Sequence, residues 1–168
     1  MSPLTFSAND IYNIAKQIEY DGIAFYEEAA KVMPDEGARG MMLELANMER
    51  DHEKTFEEMQ ESLTDAKKLS PLEDPHAEAF SFLQNMVDGY VFDFDEGPEE
   101  FLKDGPDVQA ILERAIGFEK DSITYYSYVS PMIPPKLGKE DRVNEIIQEE
   151  INHIARLSGK LRQVRADR

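Results

Sequence analysis

The stretch Glu44-Leu-Ala-Asn-Met-Glu-Arg-Asp-His52 has a counterpart 101 residues later in the chain, Glu145-Ile-Ile-Gln-Glu-Glu-Ile-Asn-His153. Each stretch contains a glutamate three residues before a histidine, Glu49 before His52 and Glu150 before His153. Residues three apart on an α-helix lie on the same face and about 4.5 Å apart along the axis. A glutamate and a histidine at this spacing can therefore bind one metal ion.

Each of these stretches is preceded by another related one. Glu19-Tyr-Asp-Gly-Ile-Ala-Phe-Tyr26 aligns with Glu119-Lys-Asp-Ser-Ile-Thr-Tyr-Tyr126, at an offset of 100 residues. Two such halves predict two helical hairpins that pack as a four-helix bundle with pseudo-twofold symmetry. The repeated positions include every residue that we predict as a metal ligand: Glu19, Glu49, His52, Glu119, Glu150 and His153.

Apolar residues recur at helical spacing in four long segments of the chain. They predict helices over about residues 7–33, 38–63, 107–130 and 139–165, with Ser7 or Asn9 capping the first and Asp107 the third. Prolines interrupt the segment 64–105, which we interpret as a crossover with short local helices, one of them near residues 76–90. We predict one all-α, antiparallel four-helix-bundle domain over residues 1–168.

The positions of the turns test this layout. In an antiparallel hairpin, two residues are level when each is equally far from the turn. The midpoint between Glu19 and Glu49 is residue 34, a proline, and the midpoint between Glu119 and Glu150 falls at Pro134-Pro135. Each pair of glutamates is therefore expected to lie level across its own hairpin.

Two other residues offer alternatives to the predicted ligands. Glu149 lies four residues before His153 and competes with Glu150, but the repeat and the three-residue spacing favour Glu150. His76 lies in the crossover with no glutamate three residues earlier, so we interpret it as a surface or packing residue. Four inward-facing glutamates require a compensating cation, because a buried carboxylate is costly unless it is paired or metal-bound.

Tyr26 and Tyr126 follow the first glutamate of each half by seven residues, or two helical turns, and share its face. Each tyrosine either packs in the core or donates a hydrogen bond that orients a ligand carboxylate. Gly22 and Ser122 follow the same glutamates by three residues. Their small side chains either permit close helix packing or leave a route for a small molecule.

Composition narrows the possible functions. With 35 acidic and 18 basic residues, the formal net charge of −17 disfavours binding to nucleic acid or to an anionic membrane. The absence of cysteine excludes disulfides, thiolate catalysis and Cys-ligated metals within these residues. No apolar run reaches the roughly 20 residues needed to span a bilayer, and the N-terminus lacks a signal-peptide pattern. We therefore expect a cytoplasmic location.

Glutamates on the first and third helices, with Glu-x-x-His on the second and fourth, form the ligand pattern of the ferritin-like di-iron carboxylate proteins. The sequence resembles this superfamily and, within it, the rubrerythrins, through Phe25-Tyr26-Glu27 and Ala115-Ile-Gly-Phe-Glu-Lys120. The resemblance implies a ferritin-like fold, two bound iron ions and a reaction with hydrogen peroxide or dioxygen. The same ligands also suit manganese or zinc. Rubrerythrins typically carry a Cys-ligated rubredoxin domain and a further glutamate where this chain has Ser122.

We therefore expect a di-iron oxidoreductase of peroxidase or oxidase type that receives electrons from an external donor. One alternative is a ferroxidase for iron storage or handling in an oligomer, and another is a metal-free helical interaction module. The wide apolar surface of the first helix favours a homo-oligomer. It includes Ile11, Ile14, Ile18 and Phe25.

Overall fold

Four long helices form the body of the computed structural model, which describes residues 5–72, 78–87, 97–133 and 140–167. In chain order the helices are α1 Ala8–Val32, α2 Glu36–Glu61, α3 Asp65–Leu69, α4 Ala79–Val87, α5 Pro98–Lys103, α6 Val108–Val129 and α7 Glu140–Ala166, with a 3₁₀ turn at Ser130–Met132. Helix α1 packs along α2, and α6 packs along α7. The predicted all-α bundle of two hairpins is confirmed, and each long helix begins and ends within two residues of its predicted bounds.

Polar side chains determine where three of the long helices begin. Ser7 forms a capping box with Asp10, whose carboxylate accepts from the Ser7 backbone N–H at 2.8 Å. Asp35 and Asp107 each accept from the backbone N–H three residues further on, at 2.8 Å. The predicted caps Ser7 and Asp107 are confirmed.

The crossover contains local helices, as expected. The one predicted near residues 76–90 is α4, and its Leu83 and Met86 are buried against the bundle. The crossover also contacts the N-terminus, where the Leu72 backbone N–H donates to the carbonyl oxygen of Phe6 at 2.8 Å. His76 and the Pro134-Pro135 turn lie outside the described residues.

The core consists of two apolar clusters, one toward each end of the bundle. The first combines the start of α1 with the ends of α2 and α6, the start of α7, and α4. The second combines the end of α1 with the starts of α2 and α6 and the end of α7. Between the two clusters lie the buried glutamates and histidines of the four long helices. The fold thus holds a polar layer between two apolar layers that keep water away from it.

The apolar residues of α1 that favoured an oligomer are used inside this chain. Ile11, Ile18 and Phe25 are buried, and Ile14 packs against the first apolar cluster. These residues therefore no longer support self-association, and a homo-oligomer stays a prediction. Within the described part of the chain, no helix is both long and apolar enough to cross a bilayer.

Candidate metal centre

All six predicted ligands meet in the polar layer at the middle of the bundle, where none is more than 3% exposed. Glu19 comes from α1, Glu49 and His52 from α2, Glu119 from α6, and Glu150 and His153 from α7. Their register follows from the repeat, since each glutamate is level with its partner across the hairpin. Metal binding by these residues stays a prediction.

The six side chains form two overlapping groups. Glu19, Glu49, His52 and Glu150 offer ligand atoms within 4.8 Å of one another, and so do Glu49, Glu119, Glu150 and His153. We call the first group the His52 position and the second the His153 position. Glu49 and Glu150 belong to both, as bridging carboxylates of a two-metal site would. Each position takes three residues from one hairpin and one from the other.

Several donor atoms of this centre have no hydrogen-bond partner among the described residues, although they are buried: Glu49 Oε1, both carboxylate oxygens of Glu150 and both ring nitrogens of His153. His153 Nδ1 lies 2.8 Å from Glu150 Oε2, 3.2 Å from Glu49 Oε1 and 3.4 Å from Glu119 Oε1. None of these approaches has hydrogen-bond geometry. Buried polar atoms are rarely left without a hydrogen bond. Unpaired ligand atoms this close together are therefore expected where side chains bind a shared cation. The residues fit a site for two metal ions.

Two tyrosines bind the outer carboxylates across the bundle. The Tyr26 hydroxyl donates to Glu119 Oε1, and the Tyr126 hydroxyl donates to Glu19 Oε1. Each tyrosine is thus hydrogen-bonded to the glutamate of the opposite hairpin, as the pseudo-twofold symmetry requires. Burial, followed by the nearby carboxylates, raises the pKa of both hydroxyls well above the ordinary value, so each keeps its proton and acts as a donor. Of the two roles considered for these tyrosines, hydrogen bonding to the carboxylates is observed, together with burial in the core.

Replacing either tyrosine with phenylalanine is expected to lower the free energy of unfolding by about 1–3 kcal/mol, because a buried carboxylate oxygen loses its donor while the ring remains. Urea denaturation of the protein with a chelator present measures this. Tyr128→Phe is the matched control, since Tyr128 lies on the same helix as Tyr126 and is 36% exposed. Equal losses in Tyr126→Phe and Tyr128→Phe would contradict the assigned hydrogen bonds.

Glu149 lies outside both metal positions but contacts one of their histidines. Its Oε2 is 2.8 Å from His52 Nε2, and its side chain is 37% exposed, whereas that of Glu150 is fully buried. A carboxylate accepts hydrogen bonds, so His52 Nε2 is the donor and Nδ1 faces the centre. His52 Nδ1 lies 3.2 Å from Glu49 Oε2 and 3.2 Å from Glu150 Oε1. The choice of Glu150 over Glu149 agrees with this placement, but the sequence did not show the contact between Glu149 and His52.

Protons stabilise the metal-free centre. Burial opposes a charge on His52 and His153, but the surrounding carboxylates outweigh it, raising the pKa of His52 far above its usual range and that of His153 to about 12. Burial and the charge of Glu49 raise the pKa of Glu19 and Glu119 well above normal. Burial would also raise the pKa of Glu49, but the two histidines lower it to about 2. Divalent cations would displace these protons, because metal ligands bind in their deprotonated forms.

Residues that neighbour the ligands along the chain complete the surroundings of the centre. Asp51, Asn152 and Arg50 are exposed, away from the centre. A Cβ at Gly22 would lie 3.4 Å from the side chain of Glu49, in van der Waals contact with a shared carboxylate residue. The hydroxyl of Ser122 donates to the backbone oxygen of Phe118 at 3.0 Å. A route for small molecules past Gly22 and Ser122 stays a prediction.

A helical bundle of two hairpins, with two glutamate and histidine groups sharing a pair of carboxylates, defines the ferritin-like class. A solved structure of this fold, that of a candidate ferritin-like diiron-carboxylate protein from Thermotoga maritima, superposes with a TM-score of 0.74. The two sequences are 24% identical, and the similarity covers 96% of this chain and 99% of that one. This similarity establishes the ferritin-like fold.

The family model described as Rubrerythrin matches residues 10–86, which include the first hairpin with Glu19, Glu49 and His52. The resemblance to ferritin-like di-iron carboxylate proteins of the rubrerythrin branch, predicted from the sequence, is thereby confirmed. No curated protein sequence matches the chain.

Proposed function

We propose that this protein binds two iron ions and is an oxidoreductase in which the ferrous pair reacts with hydrogen peroxide or dioxygen. The observation that carries the proposal is the pair of overlapping buried ligand groups, which share Glu49 and Glu150 and contain donor atoms without hydrogen-bond partners. The similarity of residues 10–86 to the rubrerythrins supports iron over the other metals that such ligands suit.

The charges of the centre match two divalent cations. Four carboxylates carry four negative charges, equal to the positive charge of two Fe(II) ions, and two neutral histidines complete the ligand set. Charge neutrality matters here because the centre is buried between apolar layers, where an uncompensated charge is costly. The same buried unpaired donors argue against a metal-free interaction module, which would have no use for them.

The ligands, the two tyrosines and the apolar layers have separate roles in this reaction. When bound, two Fe(II) ions supply the two electrons that reduce one hydrogen peroxide to two waters with uptake of two protons. The glutamates and histidines hold the ions, and Tyr26 and Tyr126 orient Glu119 and Glu19 through their hydroxyl protons. The apolar layers limit the access of bulk water.

Electrons must then reach the centre from elsewhere. The sequence contains no cysteine, so an iron–sulfur or rubredoxin-type donor is not provided by these 168 residues. We propose a separate electron-donor protein, or ferrous iron itself, as the reductant. With ferrous iron as the reductant, the protein would act as a ferroxidase.

Stopped-flow mixing of the Fe(II)-loaded protein with hydrogen peroxide, and separately with dioxygen, tests the proposal. We expect the iron to be oxidised faster than in a protein-free Fe(II) solution. The variant Glu145→Gln should oxidise iron as fast as the wild type, because Glu145 lies on the same helix as Glu150 but its side chain is 60% exposed. Oxidation no faster than in the protein-free solution would refute an oxidoreductase. A large particle that accumulates ferric mineral would instead support ferroxidase-based iron storage.

A further inference from the structure

The two histidines of the centre differ at the ring nitrogen that faces away from it. His52 Nε2 donates to Glu149 Oε2 at 2.8 Å. His153 Nε2 is buried and has no hydrogen-bond partner among the described residues. In metal sites, the outer N–H of a histidine ligand usually binds a carboxylate or carbonyl, which fixes the ring and makes the inner nitrogen a better donor. Only His52 has such a partner.

The repeat identifies the residue responsible for this difference. At the offset of 101 residues that relates His52 to His153, the counterpart of Glu149 is Met48. Its thioether sulfur is a weak acceptor and carries no charge. Arg156 Nη1 lies 3.7 Å from Met48 Sδ, and the same guanidinium is ion-paired with Glu44. The counterpart of the Glu149 carboxylate is thus a methionine in contact with Arg156, whereas Glu149 itself lies 3.7 Å from Nη1 of Arg142.

The two sides of the centre have the same types of ligand and the same tyrosine contacts. Each metal position has one histidine, two shared glutamates and one outer glutamate. Each outer glutamate accepts a hydrogen bond from one tyrosine of the opposite hairpin. The two histidine rings stack with their centroids 5.7 Å apart. At the outer nitrogens of the two histidines, the halves therefore differ by the contrast between Glu149 and Met48.

We propose that the two metal positions are inequivalent, with Glu149 acting as a positioning residue that makes the His52 position bind tightly, while Met48 leaves the His153 position weaker. The inference rests on the proposed two-metal function. Outer partners of this kind change metal affinity by about 10–100-fold, and the expected gap between the positions is of that size. The His52 position then fills first and the His153 position releases its metal first.

Anaerobic isothermal titration calorimetry of the metal-free protein with Fe(II) measures the two binding constants. Repulsion between the two metals can also produce two different constants. Variants are therefore needed to distinguish repulsion from inequivalent positions. In Glu149→Gln the amide oxygen can still accept from His52, but the charge is lost. We expect the tighter constant to fall about 10–100-fold while the weaker one is unchanged. Asp141→Asn, which removes an exposed carboxylate from the same helix, is expected to leave both constants unchanged.

The reverse substitution tests the other half of the proposal. Met48→Glu supplies the missing carboxylate at the equivalent place, within reach of the positive charge of Arg156. We expect it to raise the weaker constant about 10-fold or more, bringing the two constants together. A wild-type protein with two equal constants, or a Glu149→Gln protein indistinguishable from Asp141→Asn, would overturn the inference and leave the proposed function standing. A protein that binds no Fe(II) would overturn both.

Discussion

Replacing Glu150 with glutamine is expected to remove both metal ions from the protein, not one. Glu150 belongs to both metal positions, and both of its carboxylate oxygens are buried without a hydrogen-bond partner in the described structure. Glutamine has nearly the same shape but no charge, so each position loses a negative ligand. Elemental analysis after loading with Fe(II) and desalting should find about two irons per wild-type chain and close to none in the variant.

Glu19→Gln provides the comparison within the same centre. Glu19 belongs only to the His52 position, so this variant is expected to keep about one iron, bound at the His153 position. Glu145→Gln, at an exposed site on the helix of Glu150, should keep two. A Glu150→Gln protein that retains a full complement of iron would show that the two positions do not share this carboxylate.

Removing the metal is expected to lower the melting temperature by about 15–30 °C. Ligands that bind only the folded state stabilise it by about 4 kcal/mol at a free concentration 1,000 times the dissociation constant, and two sites double this. For a domain of this size each kcal/mol corresponds to about 2–4 °C. Differential scanning calorimetry with excess Fe(II) under anaerobic conditions, and again with chelator, measures the difference.

The double variant Glu49→Gln/Glu150→Gln is the control for this effect. It lacks both shared carboxylates, so its melting temperature should not respond to Fe(II). A wild-type protein whose melting temperature is unchanged by Fe(II) would contradict the buried metal centre.

Much of the fold and of the candidate centre was predictable because the sequence repeats its own pattern. Helical periodicity and the caps at Ser7 and Asp107 gave bounds within two residues, since both signals act over short distances along the chain. The midpoints at Pro34 and at Pro134-Pro135 predicted that Glu19 is level with Glu49, and Glu119 with Glu150. The meeting of the six side chains at one centre could therefore be predicted from the sequence alone.

The structural features that the sequence could not predict all depend on how the two hairpins face each other. Tyr26 lies two turns from Glu19 on its own helix, yet it binds Glu119 on the other hairpin. The contact between Glu149 and His52 joins α7 to α2 and depends on side-chain direction, which spacing along one helix does not reveal. The apolar stripe of α1 packs within the chain against the crossover helix with Leu83 and Met86, a contact that periodicity along α1 does not reveal.

Each metal position includes one glutamate from the other hairpin, and this arrangement suggests how the chain originated. One hairpin alone carries Glu19, Glu49 and His52, three of the four ligands of its position, and it obtains the fourth from the other hairpin. An ancestral hairpin paired with an identical copy would have supplied every ligand of the centre by reciprocal exchange. Gene duplication and fusion would then have freed the two copies to diverge, as Glu149 and its counterpart Met48 have done.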